Sequence, residues 1–62
     1  MSRVAQASPN TWSVADDSGA IIGTITTSAL GFVAWGVTGR PIGGYTSMAA
    51  ATAAIESAAA QK

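Results

Sequence analysis

The sequence predicts an α+β domain: an antiparallel meander of three to four strands, built as two successive hairpins, with one C-terminal helix packed on one face. Three observations carry this expectation. Residues 11–45 alternate short β-branched or aromatic runs with glycine-bearing turns. The turn-and-strand phrase GAIIGTIT (residues 19–26) returns 20 residues later as GRPIGGYT (residues 39–46), with Gly, Ile, Gly and Thr at matching places. Residues 47–62 then run without Gly or Pro and are rich in strong helix formers. A chain of 62 residues holds one domain at most and lies near the lower edge of what can bury a core without staples. The expected division is a flexible N-terminal arm over residues 1–10 and a single ββββα domain over residues 11–62.

The opening MSRVAQASPN is polar and small-residue-rich and ends on Pro9 and Asn10, which reads as an arm. TWSVA (residues 11–15) alternates large and small side chains, as a half-buried strand does, and turns Trp12 and Val14 to one side. In DDSG, Asp16 and Asp17 favour a type I turn, and Gly19 is placed to take the positive φ that closes a bulged hairpin. AIIGTIT (residues 20–26) supplies a second, β-branched strand. TSALG (residues 27–31) is the next link, with Gly31 again placed for positive φ, and FVAWG (residues 32–36) is the third strand. After the turn at Thr38 and Gly39, IGGY (residues 42–45) makes a short fourth strand that its double glycine weakens.

Sliding the chain by 20 residues aligns Trp12 with Phe32 and Ser18 with Thr38, so one hairpin is written twice. Duplication and convergence on hairpin chemistry both account for the match. Gly23 and Gly43 fall inside strands, where glycine marks a bulge or the close approach of another element. In the helix, Thr46 or Ser47 is the N-cap, and Met48, Ala51, Ala54, Ile55 and Ala58 form the expected inward stripe, with Thr52 and Glu56 opposite. Lys62 suits the negative end of the helix dipole.

Strand parity sends Phe32 and Ala34 to one face and Val33 and Trp35 to the other. If the helix covers Trp12, Val14 and Phe32, then Val33, Trp35 and one set of isoleucines from the second strand lie on the uncovered face. That face is the expected binding surface, with Val33 and Trp35 as partner-binding candidates. Trp35 has two readings: a structural ring folded over the sheet end or beneath the arm, or an anchor for a contact, a role in which Trp is enriched.

Composition excludes much chemistry. Three basic and three acidic residues cancel, so no long-range field draws the chain to a nucleic acid or an anionic membrane. With no Cys and no His there is no disulfide, no thiolate, no imidazole base and none of the common zinc ligand sets. Asp16 and Asp17 diverge in a tight turn and have no third ligand spaced to complete a cation site. GVTGRPIGG (residues 36–44) lacks the Lys-Ser/Thr pair of a phosphate loop, and nothing is placed to activate the many hydroxyls as nucleophiles. No cofactor, metal, small-molecule ligand or catalytic residue is expected. Residues 1–9 show no secretory signal, and the apolar run over residues 29–37 is broken by Gly31 and Gly36 and falls far short of the roughly 20 residues needed to span a bilayer, so a cytoplasmic protein is expected.

The frame W-x-V-x-D-x-x-G, I-G-x-I, G-F-x-A and A-x-x-A-I between Trp12 and Ile55 resembles that of short uncharacterised proteobacterial proteins. The resemblance implies the sheet-plus-helix arrangement and brings no activity. The leading functional expectation is a non-enzymatic protein-interaction module, meeting a protein partner or a second copy through the uncovered face. A weak nucleic-acid-binding module using Arg3 and Arg40 is the alternative, and a surface protein with no ligand is a third class.

Overall fold

A computed structural model of the chain describes residues 3–29 and 31–60. In chain order the elements are β1 (Arg3–Ser8), β2 (Thr11–Ala15), β3 (Ile21–Ser28), β4 (Gly31–Gly36), β5 (Pro41–Tyr45) and α1 (Met48–Ala60). The strands form one antiparallel sheet in sequential order, β1-β2-β3-β4-β5. The expected three to four strands therefore become five. The additional strand is β1, drawn from the residues read as an arm. All six of its residues are exposed, so no buried side chain dictates its conformation. It is held by backbone pairing to β2, from Arg3↔Ala15 to Gln6↔Trp12. The link between β3 and β4 is also shorter than TSALG suggests, because Thr27 and Ser28 stay in the ladder, paired with Phe32 and Gly31.

The repeated phrase has a structural counterpart. Around the first turn, Gly19 N–H donates to Asp16 O at 3.0 Å and Asp16 N–H to Ala20 O at 3.0 Å. Around the second, Gly39 N–H donates to Gly36 O at 3.0 Å and Gly36 N–H to Arg40 O at 2.8 Å. Gly19 and Gly39 sit at φ 91° and 88°, the left-handed region that a side chain disfavours. Each hairpin then carries a bulge just after its turn, one where Ala15 and Val14 face Ile21 and Gly23, the other where Trp35 and Ala34 face Pro41 and Gly43. The extra residues, Ile22 and Ile42, pack against the core. A 20-residue step thus maps β2-turn-β3 onto β4-turn-β5, bulge included.

The first turn is further tied by its own side chain. Asp16 Oδ1 accepts hydrogen bonds from Ser18 Oγ (2.6 Å), Ser18 N (2.9 Å) and Ala20 N (3.1 Å). These bonds, the Ser18 hydroxyl first, favour the charged carboxylate and hold its pKa below the usual 3.8. A lowered folded-state pKa stabilises the fold above the unfolded value, and that contribution is lost as pH falls through the folded value. Urea midpoints taken between about pH 7 and about pH 2.5 should fall toward acid in the natural chain and less steeply in Asp16→Asn, which keeps an amide acceptor but no titrating group. Asp16→Ala removes the acceptor and should weaken the fold at neutral pH as well.

α1 opens on Ser47, whose Oγ accepts from Ala50 N–H at 3.1 Å, the N-cap bond to the third helical residue. The helix contacts β3, β4 and β5. Ala51 and Ile55 are fully buried against Val14, Ile25 and Ala34, with Trp12, Ile22, Phe32, Ile42, Tyr45 and Met48 packed around them. The Trp12 and Phe32 rings meet edge to face, 5.9 Å between centroids at 72°. The expected helical stripe holds at Met48, Ala51, Ala54 and Ile55 but drifts at its end, where Ala58 is exposed and Ala59 half-buried. Lys62 lies outside the described residues.

Candidate interaction surface on the uncovered sheet face

Register places the outer-face residues in two rows across the sheet. One runs Ala5, Ser13, Thr24, Trp35, Pro41, and the other Thr11, Thr26, Val33, Gly44. Val14, Ile25 and Ala34, one position away along each strand, are buried beneath α1. Val33 and Trp35 therefore stand on the face opposite the helix, and no described element packs on that face. Both are half-buried by their own neighbours in the sheet.

The Trp35 indole is oriented from within the sheet. Its Nε1–H donates to Thr26 Oγ1 at 2.9 Å. Thr24 is directly opposite Trp35 on β3 and Thr26 is the diagonal neighbour, so the bond draws the ring across β3. This satisfies the one polar atom of the side chain and leaves hydrocarbon to be presented outward. The ring is not folded beneath Arg3–Ser8: β1 lies in the plane of the sheet, three positions from β4.

The companions of Trp35 differ from expectation. Ile25 is buried beneath α1, so alternation alone turns Thr24 and Thr26 outward, and the bulge at Ile21 and Ile22 decides only which of those two isoleucines stays outside. Ile22 turns to the core, Ile21 stays on the outer side opposite Ala15 at 50% exposure, and the places beside Trp35 go to Thr24 and Thr26. The available signal was the Ile-Gly pair recurring at residues 22–23 and 42–43, the position of the bulge in both hairpins.

The outer face is short-chained, hydroxyl-bearing and nearly free of charge. Among its described strand positions only Arg3, opposite Ala15, is ionic. A half-open apolar depression of about 390 Å³ adjoins Val33, lined by Ser28, Phe32, Val33, Gly44, Tyr45 and Thr46. Its lining carries the hydroxyl residues Ser28, Tyr45 and Thr46 and no charged residue. Among the described residues no group of three or more acidic, His or Cys side chains could hold a metal ion. No described helix is long and apolar enough to cross a membrane. The chain matches no protein-family model, no curated protein and no solved structure. The surface has to be read from its geometry alone.

Proposed function

We propose that this chain is a small non-enzymatic protein-interaction module, acting in the cytoplasm, that meets a protein partner or a second copy through the outer sheet face around Val33 and Trp35. One observation carries the reading: a tryptophan lies on the sheet face away from the only described helix, with its N–H already bonded to Thr26. Binding then costs no desolvation of an unpaired indole, and the ring supplies a large contact at little loss of rotamer freedom. The strand positions beside it, Thr24, Thr26, Val33 and Pro41, carry no charge, which is the composition of an interface centre rather than of a solvated rim.

The nucleic-acid alternative gains nothing from the geometry. Arg3 belongs to β1 and Arg40 precedes β5, so the two cations flank opposite edges of the sheet and form no patch. Sedimentation at several concentrations, in low and high salt, tests the proposal. Association that persists in salt and weakens at least about tenfold in Trp35→Ala, with helix and sheet signals retained, agrees with it. A strictly monomeric chain whose Trp35 emission is unchanged by any protein partner removes it, and oligonucleotide binding that collapses with salt favours the alternative.

A further inference from the structure

We infer that the edge of β1, which no other described element pairs with, is a strand-addition site, occupied by β1 of a second copy running antiparallel across a twofold axis. The inference rests on the two sheet edges and not on Trp35, so it is independent of the proposed function above. The two edges are built differently. β5 begins on Pro41, which has no N–H to offer, contains a bulge at Ile42 and the glycines Gly43 and Gly44, and lies against α1. Proline and a bulge are means by which sheets close an edge, and α1 lies over the inner face of β5 without covering its edge. β1 has none of these over Arg3–Gln6, where its pairing to β2 is regular, and its own bulge is confined to the stretch between Gln6 and Ser8. Its outward backbone groups form a row with no blocking side chain.

Strand direction selects the occupant's geometry. With five strands in an antiparallel sheet, β1 and β5 run the same way. Head-to-tail addition of β5 to β1 would be a parallel pair at a proline-bearing edge and would not close. Two β1 strands about a twofold axis pair antiparallel and close as a dimer. Keeping each inward residue opposite an inward residue requires a register centred on a residue, and centring on Ala5 sets Ala5 against Ala5 and Val4 against Gln6 of the partner copy within the regular stretch, with Arg3 facing the bulge at Ala7. Arg3, the only charge in β1, then stands about 14 Å from its symmetry mate, beyond a Debye length of roughly 8 Å.

The helix position supports the same arrangement. α1 lies over β3, β4 and β5, and Val4, on the helix side of β1, is left 41% exposed. In the ten-stranded sheet Val4 gains a cross-strand neighbour and Trp12 lies one strand further in. Both helices fall on one side, and both Trp35 faces fall together on the other.

The test is sedimentation of the full chain up to about 1 mM, since an interface this small lies below the roughly 800 Å² per partner of a standard stable one and is expected to dissociate between about 10 μM and 1 mM. Ala5→Lys and Ala5→Glu should each weaken dimerisation at least tenfold, and their equimolar mixture should restore it. Trp35→Ala should leave the concentration dependence of amide exchange in Arg3–Ser8 unchanged, whatever it does to association through the outer face. In the unmodified chain, amide exchange in Arg3–Ser8 should slow with rising concentration while Pro41–Tyr45 does not, a readout that stands even if the Ala5 variants unfold. A chain monomeric at 1 mM, a dimer indifferent to both Ala5 variants, concentration-independent exchange in β1, or a dimer abolished by Trp35→Ala and retained in Ala5→Lys would each overturn the inference. The last of these outcomes would still support the outer-face reading.

Discussion

Gly23→Ala should lower the unfolding free energy by about 2 to 3 kcal/mol, the upper range for overpacking a close-packed site. A Cβ at this position would lie 2.6 Å from Ile55 Cγ2 and 2.7 Å from the Trp35 carbonyl oxygen. The isoleucine methyl could rotate away at some cost, but the carbonyl belongs to β4 and moves only with the strand. Alanine would gain about 0.4 to 1 kcal/mol through reduced freedom of the unfolded chain, which is too little to offset the clash. For a domain of 62 residues, whose single core rarely supplies more than about 3 to 5 kcal/mol, the loss is most of the stability. Urea denaturation at neutral pH measures it. A variant as stable as the natural chain would mean that the helix does not rest on β3 at this point.

Ile55→Ala should cost about 3 to 4 kcal/mol, because Ile55 is fully buried and is the only large apolar side chain in the middle of α1. The alanines around it bring the helix close to the sheet but supply little area themselves, so Ile55 carries a disproportionate part of the roof. Where Ile55→Ala leaves too little folded protein to measure, Ile55→Val, at about 0.5 to 1.5 kcal/mol, gives the same slope. The two sites are also coupled. Ile55→Ala removes Cγ2, so Gly23→Ala in that background meets only the Trp35 carbonyl, and the double variant should lose at least about 0.5 kcal/mol less than the sum of the singles. Strict additivity would place the two residues out of contact.

Local rules made part of this architecture legible. Gly19, Gly31 and Gly39 take positive φ where the turns call for it, and Ser47 caps the helix it precedes. Trp12, Val14, Phe32 and Ala34 share the helix side, and Val33 and Trp35 the other, because alternation in β2 and β4 is unbroken over those residues. What escaped the sequence has no local signal or a conflicting one. β1 has no amphipathic pattern, since its side chains are all exposed and its order comes from β2. The bulge at Ile21 and Ile22 reverses side-chain parity within one residue, sending Ile22 to the core and leaving Ile21 outside, while burial of Ile25 gives the places beside Trp35 to Thr24 and Thr26. The end of the helical stripe moved from Ala58 to Ala59 because alanine on every side leaves hydrophobicity unable to set the helix rotation.

The separation of the two sheet faces is tested most directly by through-space proton contacts from the Ile55 methyl groups. Contacts to the Gly23 α-protons, with none to the Trp35 ring, are the predicted result. Contacts from Ile55 or Met48 methyls to the Trp35 ring or the Val33 methyls would put the helix on the face assigned to binding and contradict the account.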